Sequence, residues 1–327
     1  KHMRNVHHVI IDEVHELAES KRGVQLTVAL ERLFEIVGRE FQRIGLSATV
    51  GNPEKVAGFI AGADRPIKLI EVPLPKGYRY SVEYPIPEDT DYDLAHELRT
   101  APEAAARIRR ISYLVKNHNS TLIFVNSRTN AEMLGHKFSQ LAQDIAVHHG
   151  SLSKEERTLT EDDFKEKVLR AIVCTSTLEL GIDIGHVDLV IQYLSPRRVS
   201  SLIQRVGRSG HKLDLVSEGV IITAFPEDTL EAVAATQRAY KGLLEPLCIH
   251  ENALDVLAHQ VVGILLDQRQ ATTSQILEIV RRAHPYRNLS ETKLLDVVSY
   301  LYRLRKLRIE GRTLTRTRRT WPYYYEN

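Results

Sequence analysis

Apolar positions fall into short unbroken runs that alternate with stretches where they recur every three or four residues. Val9-Ile10-Ile11 is one such run, closed by Asp12-Glu13. That is the pattern of a buried parallel strand delivering carboxylates at its carboxyl end. Over residues 24–37, Leu26, Leu30, Leu33, Phe34 and Val37 share one face and predict a helix. Ile44-Gly45-Leu46 predicts a second strand ending in Ser47-Ala48-Thr49, residues 53–60 a helix starting near Asn52, and residues 67–72 a third strand. Strands alternating with helices in this way build a doubly wound α/β sheet.

Four prolines, Pro73, Pro75, Pro85 and Pro87, mark residues 73–92 as a linker leading into a new strand. A second α/β series follows. Helices are predicted over 107–116, 131–141, 154–164 and 199–206, and strands over 121–125, 144–147, 168–175, 187–192 and 219–224. The connections are long enough for the crossovers a parallel sheet requires. After Pro226 the strands stop. Helices are predicted over 229–241, 251–267, 274–283 and 291–306, the last with Ser290 as N-cap. Residues 307–310, a Gly311 turn and residues 313–317 then form a ribbon. Three helices followed by a basic two-stranded ribbon resemble a winged helix, a variant of the helix-turn-helix.

Composition narrows the picture. A chain of 327 residues suggests about two domains, with room for a third. An apolar fraction of 43% with 26% charged residues is that of a folded soluble chain and excludes global disorder. Two cysteines, Cys174 and Cys248, are too few for a disulfide scaffold, a four-cysteine zinc site or an iron–sulfur cluster. With no apolar run near the roughly 20 residues a membrane helix needs and no opening signal peptide, the expectation is a cytoplasmic protein without a membrane partner. Composition also points to a monomer.

The net charge of +2 hides an asymmetry. Residues 303–319 carry eight basic side chains (Arg303, Arg305, Lys306, Arg308, Arg312, Arg316, Arg318, Arg319) against the single acid Glu310. That stretch is therefore +7, which leaves the other 310 residues at −5. A localised positive field is the footprint of a polyanion-binding surface, although a solvated surface hairpin has the same composition.

Three constellations carry chemistry. Asp12-Glu13-Val14-His15 stands at a strand end. One carboxylate there suits Mg²⁺ held through water, and its neighbour suits polarising a water for attack on a phosphate. The same dipeptide would also suit an ordinary helix N-terminus. Gln204-Arg205-Val206-Gly207-Arg208-Ser209-Gly210-His211 places two arginines three apart beside glycines that permit close backbone approach. A planar guanidinium can neutralise charge on a transferred phosphoryl group, or serve in a surface ion pair. Thr175-Ser176-Thr177-Leu178-Glu179-Leu180-Gly181-Ile182-Asp183 follows a strand directly, so its hydroxyls and backbone N–H groups suit either a phosphate cradle or a capped helix start.

Together with Ser47-Ala48-Thr49, Ile123-Phe124-Val125-Asn126-Ser127-Arg128 and His148-His149-Gly150-Ser151, these runs resemble, in order and spacing, the superfamily 2 helicases of the DExH type over residues 5–225. Leu194-Ser195-Pro196-Arg197-Arg198 and the C-terminal region after Asn252-Ala253-Leu254, through Tyr323-Tyr324-Tyr325, look most like the large helicase-related (Lhr) family.

The resemblance implies an α/β fold of RecA-like parallel-sheet lobes followed by a mainly helical winged-helix domain. Residues 1–75 would be the second half of a first lobe, 76–228 a complete second lobe, and 229–327 linker helices and the winged helix. It implies ATP and Mg²⁺ as cofactors, with Asp12 organising the metal through water and Glu13 as general base. His15, Gly181, Asp183 and His211 would lie at the nucleotide. Many related helicases carry Arg where His211 stands. Gln204 and Arg208 would contact the nucleotide, with Arg208 the first arginine-finger candidate and Arg205 the second. Ser47 and Thr49 would couple nucleotide to nucleic acid. Asn126, Ser127, Arg128, His149, Gly150 and Thr175 would follow a bound single strand, and Arg303, Arg305, Arg308 and Arg316 would add contacts from the winged helix.

What the resemblance implies for activity is 3′-to-5′ movement on single-stranded DNA with unwinding of DNA or RNA–DNA duplexes, Glu13 and Arg208 closing on one triphosphate from two lobes. No Gly-x-x-x-x-Gly-Lys-[Ser/Thr] occurs in the chain, so the segment is expected to be part of a larger helicase and not to hydrolyse ATP alone. Two other readings stay open: a non-enzymatic nucleic-acid-binding module in which the winged helix dominates, and a regulatory or assembly piece. Trp321, Tyr323 and Tyr325 suit either stacking on bases or anchoring a C-terminal strand.

Overall fold

A computed structural model describes residues 2–48, 50–72, 77–179, 184–210 and 216–326. The chain opens with β1 (His8–Ile11), α1 (Val14–Ala18), α2 (Lys21–Val37), β2 (Gln42–Gly45) and α3 (Pro53–Ala61). The next stretch comprises β3 (Tyr78–Glu83), α4 (Asp89–Leu98), α5 (Pro102–Lys116), β4 (Thr121–Phe124), α6 (Arg128–Gln140), β5 (Ile145–His148) and α7 (Lys154–Lys165). It continues through β6 (Ala171–Cys174), β7 (Leu189–Tyr193), α8 (Val199–Val206), β8 (Ser217–Ile222) and α9 (Pro226–Tyr240). The last part holds α10 (Leu254–Gln268), β9 (Gln270–Thr272), α11 (Thr273–Arg282), α12 (Glu291–Arg303), β10 (Leu307–Glu310), β11 (Thr313–Arg316) and α13 (Thr320–Glu326).

These elements divide into two compact units, Lys1–Glu71 with Pro246–Asn327, and Val72–Glu245. The boundaries expected near 75 and 228 are thus redistributed. Helix α9 stays with the second unit, and everything after Glu245 joins the first 71 residues.

The second unit is an all-parallel sheet in the order β3-β8-β7-β4-β6-β5. Its inner strands β4, β6 and β7 are buried at every position because helices cover both faces. Along β4, Ile123 faces a core with Leu98, Ile111, Leu134 and Phe138, while Leu122 and Phe124 face one with Phe164, Leu202, Val206 and Ala232. A Cβ on Gly135 would come within 2.1 Å of the Val147 side chain, so a glycine here lets α6 lie directly on β5.

The first unit has one shared core. Val24 and Val28 of α2, Phe59 and Ile60 of α3, and Val261, Leu265, Val280 and Val298 of the C-terminal helices are buried together. β1 pairs in parallel with β2, from His8 opposite Gln42 to Ile11 opposite Gly45. The C-terminal part forms an antiparallel sheet in the order β10-β11-β9 beside α10, α11 and α12. Ser290 caps α12 by accepting from the Lys293 N–H at 3.2 Å, and Gly311 takes the φ of +64° that the hairpin turn requires.

Several expectations are corrected. Residues 67–72 form no strand, and Ile70 and Val72 are more than 70% exposed. β-propensity becomes a strand only where a neighbouring edge supplies backbone bonds. Strand β1 is less covered than its apolar run suggests, since Ile10 is exposed and Ile11 buried. Helix α4 occupies part of the expected linker, held by a capping box between Glu88 and Asp91. The predicted ribbon gains a third strand, β9, and the tyrosine-rich end is the helix α13 rather than a strand.

Candidate nucleotide and nucleic-acid site

In the first unit, the parallel pairing of β1 and β2 sets two sequence runs side by side. The Leu46 N–H donates to the Ile11 carbonyl at 2.9 Å, and the Val14 N–H donates to the Leu46 carbonyl at 3.0 Å. Glu13 sits between them in the left-handed region, φ 49° and ψ 45°, as the residue entering α1. A non-glycine residue there stores roughly 1–3 kcal/mol of strain, which the two flanking backbone bonds hold in place. Asp12 is exposed, and its Oδ1 accepts from the Glu13 N–H at 2.8 Å.

His15 is buried beneath this corner. Its Nδ1 lies 3.4 Å from the Ala48 N–H, 3.3 Å from Ser47 Oγ and 3.6 Å from Glu13 Oε2. With Nδ1 accepting from Ala48, the ring proton sits on Nε2, 3.7 Å from Glu16 Oε1. The imidazole therefore holds the segment after β2, with the Glu13 carboxylate close by. Among the described residues no cluster of three His, Cys, Asp or Glu suits a metal. An exposed hard oxygen such as that of Asp12 fits Mg²⁺, which keeps most of its ligands as water and phosphate.

In the second unit, the polar residues lie at the carboxyl ends of neighbouring strands, where parallel sheets bind ligands. Asn126, Ser127 and Arg128 follow β4, His149, Gly150 and Ser151 follow β5, and Thr175 follows β6. Ser127 caps α6, its Oγ accepting from the Asn130 N–H at 3.1 Å. Arg128 is exposed and donates to Ser151 Oγ. His149 is buried, hydrogen-bonded to Glu132, and its Nδ1 accepts from the Ser151 N–H at 3.2 Å. Its neighbour Gly150 is exposed. His148, fully buried, bridges Thr177 Oγ1 and Glu161 Oε1, each at 2.8 Å. These contacts hold the two loops in register.

Beneath this row lies an arginine hub. Arg205, 7% exposed, donates from Nη1 to Gln192 Oε1 at 2.7 Å and Asn126 Oδ1 at 3.2 Å. Its Nε and Nη2 both reach Glu179 Oε2 at 3.3 Å. The guanidinium also lies 5.5 Å from the Phe124 ring centroid. Asn126 in turn donates to the Ser195 carbonyl at 2.8 Å. Arg208, only partly buried, donates from Nε and Nη2 to the Glu179 carbonyl at 3.0 and 2.7 Å. The two arginines do converge, on Glu179, but with different characters. Arg205 is sealed in as a positioning residue, and Arg208 stands nearer the surface. Gln204 is partly buried on α8. Burial pushes the Cys174 thiol well above its ordinary pKa, with the Glu179 charge adding to it, so this cysteine is inert.

Sequence reasoning missed Glu179, Gln192, Glu132 and Glu161. Glu179 had one available signal, its place inside the Thr175–Asp183 run. Thr49, Gly181, Asp183 and His211 lie outside the described residues. Arg303, Arg305, Arg308 and Arg316 are exposed on the end of α12 and the β10–β11 ribbon.

Family models match at two places: the DEAD/DEAH box helicase at residues 1–56, and the helicase conserved C-terminal domain at residues 104–212. The ATP-dependent helicase Lhr-Core protein 2 of Thermococcus barophilus is 38% identical over 91% of this chain and 35% of its own length. The solved structure of Mycobacterium smegmatis helicase Lhr bound to ssDNA and AMP-PNP superposes with a TM-score of 0.84 at 36% identity, covering 97% of this chain and 42% of that one. The DUF1998 helicase MrfA, 19% identical, shares the fold with a TM-score of 0.69 over 96% of this chain and 42% of its own. Both matching family models are helicase models, and the relatives of 36–38% identity are Lhr helicases. The chain's sequence is of the Lhr kind, and it spans about a third of the length of the curated relatives it matches. No helix among the described residues is long and apolar enough to cross a membrane.

Proposed function

We propose that this segment is part of the motor of an ATP-dependent helicase that tracks a single nucleic-acid strand 3′-to-5′ and separates DNA or RNA–DNA duplexes. The observation that carries this reading is the row of donors at the ends of β4, β5 and β6, exposed at Ser127, Arg128 and Gly150 and partly buried at Thr175. Ser127 and Arg128 on a helix start, the glycine Gly150 and the hydroxyl of Thr175 follow three adjacent strands in a sheet. Such donors suit successive phosphates and carry no base readout, so binding is sequence-indifferent and salt-sensitive. The Mycobacterium smegmatis relative, whose structure holds ssDNA and AMP-PNP, supports the same choice of ligand.

ATP with Mg²⁺, when bound, supplies the phosphoryl group whose transfer releases free energy for movement. On the protein side, Asp12 would hold the metal through water and Glu13 would accept a proton from the attacking water. Arg208, with Gln204, offers donors to phosphate oxygens. His15 lies between Glu13 and the segment after β2, bonded to Ala48 and within 3.6 Å of the carboxylate. Arg205 keeps Asn126 and Glu179 in place from below. The exposed arginines of the C-terminal ribbon add positive charge. Its order of helices and strands, α10-β9-α11-α12-β10-β11, fits a winged helix.

The test is strand binding by the chain itself, read as anisotropy of a labelled oligothymidylate across a salt series. Tight, sequence-indifferent binding to the single strand is expected. Arg128→Ala should weaken it about equally for all sequences and lower the salt slope by about 1. Preference for one duplex sequence, unaffected by Arg128→Ala, would instead support the winged-helix binding module and refute the motor.

A further inference from the structure

The C-terminal helix α13 exposes two aromatic rings in a prepared setting. Trp321 and Tyr325 stack on each other, ring centroids 4.9 Å apart and planes 18° apart, and both are more than half exposed. Behind them the stack continues inward. Tyr325 meets the edge of Tyr324 at 5.3 Å, and Tyr324 stacks on His259 at 4.3 Å. The inner end is fixed by Arg32, which donates to Tyr324 Oη at 2.7 Å and to Asp267 and Gln260 at 2.8 and 2.9 Å.

The turn into α13 is fixed as well. Thr320 Oγ1 donates to the Lys306 carbonyl at 2.6 Å and accepts from the Thr317 N–H at 2.7 Å, while Thr317 Oγ1 donates to the Arg305 carbonyl at 2.9 Å. Arg318 and Arg319, immediately before Thr320, are exposed, and neither has a side-chain partner among the described residues.

We infer that Trp321 and Tyr325, with the Arg318 and Arg319 guanidiniums, form a second single-strand binding site, on which an unpaired base stacks while the adjacent phosphates meet the arginines. Large rings held rigidly from behind, left open in front and flanked by uncompensated positive charge suit the two components of a nucleotide, a π-face and an anion. A base inside a duplex has no free face to offer, so the occupant is a single strand. This rests on the reading of the segment as nucleic-acid-binding, and it adds a base-stacking site to one otherwise made of phosphate contacts.

Trp321 is the only tryptophan in the chain, so its emission reports this site alone when excited where tyrosine does not absorb. The experiment titrates the whole chain with unlabelled oligothymidylate, with the same strand made fully abasic, and with a blunt duplex. A labelled strand reads binding by anisotropy in parallel. Oligothymidylate is expected to quench Trp321, while the abasic strand and the duplex leave it unquenched. Trp321→Ala should weaken single-strand binding about 5- to 100-fold, and Trp321→Phe, which keeps a ring, should retain most of the affinity. Since Trp321 is exposed, the alanine variant should fold, and circular dichroism checks that. Normal strand binding with unchanged emission and unchanged affinity in Trp321→Ala overturns this site but leaves the motor reading intact. Equal quenching by the duplex also overturns it. Absence of any binding by anisotropy removes both.

Discussion

The arginine hub of the second unit makes a quantitative prediction. Arg205→Ala removes every guanidinium bond to Glu179, Gln192 and Asn126. Glu179 and Gln192 are buried, with 7% and 1% exposure. A buried carboxylate deprived of its cation costs about 3–5 kcal/mol, and a stranded buried amide oxygen about 1–3 more. These effects share one network and do not add fully, so about 4 kcal/mol is expected. A typical domain has only roughly 5–15 kcal/mol in all, so the second unit should be close to unfolding. Arg205→Lys keeps a charge but not the planar fork and should lose roughly half as much. Urea unfolding by circular dichroism measures the loss, and hydrogen exchange at the amides of β4 and β7 locates it. If Arg205→Ala unfolds within about 1 kcal/mol of the parent and exchange at β4 and β7 is unchanged, the buried-hub assignment fails. Arg205 would then have to be regarded as a free guanidinium after all.

Two further predictions concern the first unit. Glu31 is fully buried and accepts from Arg43 at 2.8 Å, from Arg65 at 2.9 Å and from Arg282 at 3.4 Å. Burial alone would raise its pKa, but the hydrogen bonds from Arg65 and Arg43 outweigh that and hold it below the ordinary 4.5. A depressed folded pKa means stability that is present above the unfolded value, near pH 4.5, and lost as pH falls through the folded one. Glu31→Gln should therefore destabilise the unit by about 3 kcal/mol at neutral pH and remove this acid-sensitive component. Urea titrations followed by circular dichroism at neutral and acid pH measure both, and a variant with the parent's pH dependence contradicts the assignment. At the proposed site, Glu13→Gln in a protein that includes the phosphate-binding loop should abolish nucleic-acid-stimulated ATP turnover while sparing strand binding. Undiminished phosphate release in a coupled assay would reject Glu13 as the base.

Some candidate residues of the proposed site have a signal in the sequence because they follow a local rule. A carboxylate pair at the end of an apolar run, a hydroxyl after a strand and an arginine beside glycines are recognisable within a few positions. Asp12, Glu13, Thr175 and Arg208 are candidates on such rules, while Ser47, Asn126, Arg128 and His149 are candidates on a likeness of order and spacing; Ser290 as a cap and Gly311 as a turn are borne out. The partners that these residues meet follow no such rule. Arg205 meets Glu179 26 positions away and Gln192 13 away, and His149 meets Glu132 17 away. Neither the helical nor the strand period links such pairs. Which of two nearby arginines is sealed and which lies nearer solvent depends on the sheet order, which brings β7 next to β4.

The same limit applies to the units. Periodicity alone determined that the chain alternates strands and helices and then turns helical after Pro226. It could not determine that the C-terminal helices share a core with the first 71 residues, or that Arg32 pairs with Asp267 across 235 positions. Nor could it place the tyrosine-rich end on a helix with Trp321 in solvent. Local pattern sets which face of an element is apolar, because backbone geometry repeats every two or 3.6 residues. Which apolar face meets which other is decided by packing, and only the tertiary structure contains that.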